Sequence, residues 1–197
     1  MNKRLQQKQQ TKIKILQAAH VIFLSHGFQD TTITLIGEQA GIGYGTVYGH
    51  FKNKETIFSE LIEQTMHDFF IVANEPFHPK NAAQATAIIH TQVYRFLTLA
   101  RVHKKTLQLI EEAMGYSALI RLKWSTIVQQ FTHRIAQDLT YAQQQNLLKY
   151  PIDVTIIATS WFGINETFLW RIVADDTLCI NTITQQITQF YVSALYQ

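Results

Sequence analysis

The sequence predicts an all-α fold of about nine helices, divided between a short N-terminal unit and a longer C-terminal one. Three observations lead there. Apolar residues recur at spacings of three and four almost throughout, and no run alternates apolar and polar residues as a half-buried strand requires. Pro76, Pro79 and Pro151, the only prolines, stand where a periodic run ends or begins. Four of the eight glycines fall together at Gly41, Gly43, Gly45 and Gly49, where a turn and a short helix that its scaffold must hold are expected.

The first ten residues, rich in glutamine, read as a mobile arm. Ile15, Leu16, Ala19, Ile22 and Phe23 then line one face of a first helix, and Gly27 stops it. Thr32 is placed to cap a short second helix running through Ala40, and Gly41 turns the chain. A third short helix covers about 44–50. Asn53 caps a long fourth helix with the stripe Ile57, Phe58, Leu61, Ile62, Met66, Phe69 and Phe70. The stretch 74–80, which holds two prolines, reads as a linker. Five more helices follow near 82–101, 104–114, 118–145, 151–174 and 177–195. Pro151, with Asp153 behind it, suits the start of the eighth, because proline at a first helical position loses no hydrogen bond.

Composition bounds the function classes. The 197 residues are 47% hydrophobic, enough for one large core or two small ones. The longest nearly apolar stretch, 154–164, is interrupted by hydroxyl residues and is too short to span a bilayer. The basic N-terminus is followed by glutamines rather than an apolar segment, so no signal peptide is expected. Cys179 stands alone, which rules out an internal disulfide and makes a reducing cytoplasm the natural compartment. The net charge of +3 is unevenly spread: residues 1–54 carry seven Lys/Arg against Asp30 and Glu38, and the remainder carries ten against twelve acids. A basic segment suits a phosphate-binding module, but it equally suits an arm that only keeps the chain soluble; charge does not choose between them.

The stretch 27–58 is more informative. A short helix, a glycine turn and a second short helix packed on a longer first helix is the plan of a helix-turn-helix. Ile36 and Ala40 face inward from the second helix, Val47 and Phe51 from the third. That leaves Tyr44, Gly45, Thr46, Tyr48, Gly49 and His50 at outward or edge positions. Each interior glycine weakens a helix by up to about 1 kcal/mol relative to alanine, so the third helix depends on its scaffold. In return, glycine lets a partner approach the backbone closely.

Phe-x-x-x-Gly-Phe from Phe23, the pair Thr31-Thr32, and Ala-Gly-Ile-Gly-x-Gly-Thr-Val-Tyr-x-His-Phe-x-x-Lys-Glu from Ala40 together resemble the signature of the TetR family of bacterial repressors. The resemblance covers roughly 15–60, without gaps. It implies a homodimer on an inverted-repeat operator in double-stranded DNA, with the helix at 44–50 in the major groove. Tyr48 and Lys54 match phosphate-contacting positions, Thr46 one that touches bases or backbone, His50 one beside the groove, and Thr34 one near the backbone. Gly43 departs from the usual serine cap and Gly49 from a larger side chain, which leaves Tyr44 and Thr46 as the candidates for base readout. Taken without the family, Lys54 could instead pair with a nearby carboxylate and Tyr48 could be a half-buried core aromatic. The implied layout is a DNA-binding domain over 1–54, a connecting helix and linker over 55–80, and a ligand-binding and dimerisation domain over 81–197.

The C-terminal part carries less signal. Two apolar stripes on the last helix, Ile183, Ile187, Phe190 and Ala194 on one side and Ile180, Tyr191 and Leu195 on the other, call for a covering beyond the helix's own core. The family pairs through its last two helices, so Phe168, Ile183, Ile187, Phe190 and Tyr191 are the expected dimer contacts; a larger core is the competing account. The eighth helix is apolar nearly all round apart from Asn165 and Glu166, which either hydrogen-bond structurally or fix a ligand. His90, Arg95, Glu112 and Tyr116, together with Tyr94, Glu111, Trp124, Trp161 and Asn165, form a candidate lining for a small, mostly apolar effector, although most aromatics at helical spacing are core. Regulation by a protein partner, or none, remains the alternative. Catalysis is disfavoured: neighbouring Glu111 and Glu112 diverge by about 100° on a helix, no His-x-x-x-His occurs, and Cys179 has no cysteine partner. No metal or cofactor is expected.

Overall fold

A computed structural model describes residues 3–197, and among these residues all regular elements are helices. They are α1 (Lys3–Asp30), α2 (Ile33–Ala40), α3 (Tyr44–Tyr48), α4 (Lys54–Ala73), α5 (Ala82–Val102), α6 (Lys104–Tyr116), α7 (Ala118–Gln144), α8 (Val154–Ala174) and α9 (Ile180–Leu195). The caps are local, and those at Thr32 and Asn53 are the ones expected from the sequence. Thr32 Oγ1 accepts from the Leu35 amide at 3.2 Å, Asn53 Oδ1 from Thr56 at 2.9 Å, and Asn81 Oδ1 from Gln84 at 2.9 Å. Asp153 Oδ1 accepts from Thr155 and Ile156, so α8 begins at Val154 rather than at Pro151.

The N-terminal arm is a correction. Met1 and Asn2 lie outside the described residues, but residues 3–10 form the opening turns of α1, with every side chain exposed. Glutamine and lysine lose little rotamer freedom in a helix, so the packed turns beyond Ile15 propagate backwards through them.

The chain falls into two compact units that cut across its linear order: residues up to Met66 with 105–123, and residues 67–104 with 124–197. In the first, Phe23, Phe28 and Phe58 form an aromatic cluster with ring centroids 4.7–5.9 Å apart, and Ile15, Ile36, Val47, Ile57, Ile62, Leu107 and Ile110 are also buried in this unit. Thus α6, although late in sequence, belongs to the core of the N-terminal helices. In the second unit α5 packs against α8 and α9. Its core is aromatic: Phe131 stacks on Phe70 at 4.4 Å and on Phe162 at 5.2 Å, and Trp161 stacks on Tyr191 at 3.9 Å. After α7, Leu148 bridges to Tyr196, and the Lys149 amide donates to the Leu195 carbonyl, tying that loop to the end of α9.

Candidate DNA-binding face and ligand cavity

In the first unit, Gly41 adopts a left-handed conformation (φ 63°) and its amide donates back to Glu38 and Gly37, which ends α2 and swings the chain into α3. Val47 and Phe51 are buried and fasten α3 from behind. The opposite side is open. Thr34, Tyr44, Gly45, Thr46, Tyr48 and Gly49 are all exposed, and a Cβ added at Gly45 would meet nothing within 4 Å. Tyr44 and Tyr48 retain 55% and 45% of their exposure, so neither is a core aromatic. Their rings lie 4.5 Å apart and tilted, and the hydrogen bond between the two phenols holds Tyr44 above its usual range, fully protonated at neutral pH. The pair forms an aromatic edge on a helix whose other exposed side chain is Thr46.

His50 is half-buried beside this edge. Desolvation lowers its pKa, and the nearby charges of Lys8 and Lys12 lower it further, so the free protein carries a neutral imidazole there. Lys12 is paired with Glu60 at 2.7 Å. The helical start of α1 therefore sets basic side chains beside α3, a proximity hidden when residues 3–10 are read as an arm.

Lys54 is the second correction. Its ammonium donates to the carbonyls of Phe28 (2.7 Å), Gln29 (2.7 Å) and Thr31 (3.1 Å), and it lies 4.9 Å from the Phe28 ring centroid. A lysine has three donors, and here all three are engaged inside the protein rather than presented to a phosphate. The reason lies in Gly27, whose φ of 76° and ψ of 173° break α1 and start a last turn afresh. That turn has free amides at one end and free carbonyls at the other. Glu112 of α6 accepts from the Phe28 amide at 3.1 Å and the Gln29 amide at 3.4 Å, while Lys54 of α4 takes the carbonyls. A carboxylate at the amino end and a cation at the carboxyl end both oppose the turn's dipole, which is the stabilising arrangement. Glu112 was expected in a ligand pocket; the free amides after Gly27 were the sequence signal for its actual place.

The second unit contains a cavity of about 70 Å³ lined by Val72, Ala73, Ile89, Gln92, Val93, Phe96, Phe131, Arg134, Ile135, Asp138, Trp161, Phe162 and Asn165. Of the expected lining, Trp161 and Asn165 are there. Asn165 is buried and its Nδ2 donates to the Trp161 carbonyl at 2.8 Å, within its own helix. Trp124 is instead a buried packing residue: its indole donates to Glu166 at 2.6 Å and its ring lies 5.0 Å from Trp170. Tyr94 is exposed and borders a separate, open depression with Ile71 and Arg95. Glu111 is exposed on α6, in the other unit. Helical phase turns Trp124 and Tyr94 to other neighbours, and Glu111 sits on a helix that belongs to the first unit.

Arg134 and Asp138 went unnoticed in the sequence. They pair at 2.5 Å, and Arg134 also donates to the Glu75 carbonyl at 3.3 Å. Burial pushes the Asp138 carboxyl up to about 6 despite the guanidinium beside it. The available signal was a charged pair set one turn apart on the same helical face as Phe131 and Ile135.

Along α9, Ile187, Tyr191, Val192 and Leu195 are buried in their own chain, which removes Ile187 and Tyr191 from the expected dimer contacts; Tyr191 is covered by Trp161. Phe190 is 64% exposed and Ile156 of α8 62% exposed, while Ile183 and Phe168 are intermediate. Phe168 lies against Arg171 at 5.5 Å. Among the described residues, no helix is long and apolar enough to cross a membrane, and no cluster of potential metal ligands occurs.

A three-helix unit that presents a short, glycine-rich helix with an exposed tyrosine pair defines the class of helix-turn-helix DNA-binding regulators. Residues 15–61 match the family described as bacterial regulatory proteins, tetR family. The fatty acid metabolism regulator protein of Bacillus subtilis is 25% identical over 98% of this chain and 99% of its own. Two solved structures share the fold at TM-score 0.74: NalD of Pseudomonas aeruginosa, 18% identical and covering 98% of each chain, and the SmeT–triclosan complex, from Stenotrophomonas maltophilia, 20% identical and covering 95% of this chain and 92% of that one. Residues 15–61 thus carry the DNA-binding domain of the tetR family, and the relatives and shared fold along the rest of the chain indicate a TetR-family DNA-binding transcriptional regulator.

Proposed function

We propose that this regulator is a homodimeric repressor that reads an inverted repeat through α3 and is released by a small, mostly apolar ligand held in the cavity of the second unit. The observation that carries the DNA reading is the exposed Tyr44–Tyr48 pair, with Thr46 beside it, on a helix whose other surface positions lack side chains. In this reading Tyr44 and Thr46 meet base edges, Tyr48 and Thr34 meet phosphates, and Gly45 and Gly49 let the backbone come close. His50 stands at the rim with Lys8. Lys54 acts from behind by holding the turn at 28–31. The chain supplies one reading helix, so a two-fold dimer needs two half-sites whose spacing equals the distance between its two α3 helices. The exposed Ile156 and Phe190, with Ile183 and Phe168 at the margin, are the side chains that a second copy covers.

The ligand reading draws on the aromatic-walled, polar-tipped cavity and on two relatives: the Bacillus subtilis protein is named a regulator of fatty acid metabolism, and SmeT is solved with triclosan. At about 70 Å³ the cavity is well below the roughly 300–1,000 Å³ of ordinary ligand sites, so a ligand parts its walls, and the open and closed states differ in ligand affinity. Selection from random duplexes tests the DNA reading: it should return an inverted repeat bound by a dimer. Recovery of an asymmetric site, or of no site, overturns it.

A further inference from the structure

The cavity contains an ion pair among aromatic walls, and the two partners differ in what they can do when a ligand arrives. Phe96, Phe131, Trp161 and Phe162 form the walls, and Arg134 and Asp138 stand together at 2.5 Å in the same lining. An arginine side chain cannot lose its charge in a protein; an aspartate can. A cationic head placed on Asp138 would strand the guanidinium, leaving it only the Glu75 carbonyl at 3.3 Å. A neutral head leaves the pair intact and gains only burial of its body. A carboxylate can take the Arg134 guanidinium in a two-pronged pairing, and the displaced Asp138 then becomes neutral by taking up a proton.

We propose that this cavity binds an organic carboxylate with an apolar body, its head replacing Asp138 on Arg134 while its body enters between the aromatic walls. The proposal rests on the ligand-binding reading above and adds the chemical class. Burial already holds the Asp138 carboxyl at about 6, so its neutralisation near pH 7 is a small step. The groups facing Asp138 support the exchange. Arg134 comes from its own helix. From α9 and the residue after it come Tyr191 and Tyr196, whose phenols burial and the Asp138 charge push upward, so both stay neutral and able to donate. Gln92 of α5 and Asn165 of α8 share the lining and carry no charge. Glu75, behind Arg134, is already paired with Arg95.

The test is calorimetric titration of the full-length protein with octanoate, 1-octanol and octylamine, in two buffers of different ionisation enthalpy so that protons taken up are counted. Octanoate should bind most tightly, with uptake approaching one proton near pH 7, and should weaken about tenfold from pH 7 to pH 8. Asp138→Asn should tighten octanoate about tenfold at pH 7 and abolish both the uptake and the pH dependence. Arg134→Met should remove the advantage of octanoate over octanol while octanol still binds. If Arg134→Met does not fold, Asp138→Asn and the three probes on the parent protein decide alone. Octylamine equal to or tighter than octanoate, octanol equal to octanoate, binding without proton uptake, or no binding of any probe overturns the proposal. Octanoate that binds with proton uptake yet leaves operator affinity unchanged overturns the release reading instead and leaves the ligand class standing.

Discussion

Replacing Lys54 by methionine keeps the aliphatic stem against Phe28 but deletes the ammonium that ties down three carbonyls. Hydrogen bonds from a charged donor contribute more than neutral ones, but the Gln29 carbonyl is exposed and regains water when released. The Phe28 and Thr31 bonds are part-buried, so the three together are worth about 2–3 kcal/mol. For a chain of this size that corresponds to a fall in Tm of about 4–12 °C, measured at fixed protein concentration because a dimer's Tm depends on it. Operator affinity should fall as the turn leading into α2 loosens, and it should fall equally for all sequences. The decisive measurement is the slope of log K against log salt. A phosphate contact contributes about 0.9 to that slope, whereas a residue that acts on the fold from behind contributes nothing. Lys54→Met should therefore lower Tm and affinity while leaving the slope unchanged. Glu112→Leu, at the other end of the same turn, should behave alike; Glu112→Gln, which still offers an oxygen to the Phe28 amide, should recover part of the loss. A slope reduced by about one with Tm unchanged would refute this account and return Lys54 to the DNA backbone.

Three further outcomes follow from the geometry. Thr46→Ala or Tyr44→Ala should relax preference at one or two bases in each half-site, each worth about 1–3 kcal/mol, without altering helicity; selection from random duplexes with each variant reads this directly. Phe190→Asp places a charge on a side chain that is 64% exposed in the single chain, so it should leave the fold intact and turn the dimer into monomer in sedimentation at micromolar concentration. Asp138→Asn should stabilise the protein at pH 7.5 and not at pH 4. The folded carboxyl, at about 6, lies above its ordinary 3.8, so the folded state holds its proton longer and stability declines as pH rises from about 4 to 6. That decline reaches at most about 3 kcal/mol, and asparagine avoids it; a thermal-denaturation series in which parent and variant keep the same separation at both pH values would count against the buried aspartate.

What the sequence by itself determined is local. Thr32 and Asn53 each satisfy an amide three residues away, so these helix starts are legible from neighbouring letters alone. Gly41 turns the chain wherever it is placed, and Val47 and Phe51 mark the hidden side of α3 through helical phase, which leaves Tyr44, Thr46 and Tyr48 outside. Everything settled by a partner distant in sequence was decided only by the tertiary structure. Lys54 is separated from the carbonyls it holds by more than twenty residues, and Glu112 from its amides by more than eighty; neither spacing leaves a periodic trace. The same reason explains α9, where two apolar stripes look equivalent in one dimension until Trp161 covers Tyr191 and leaves Phe190 bare. It explains the cavity too: Trp161 and Asn165 reach it while Trp124 turns to Glu166, because helical phase says which residues share a face but not which neighbour that face meets.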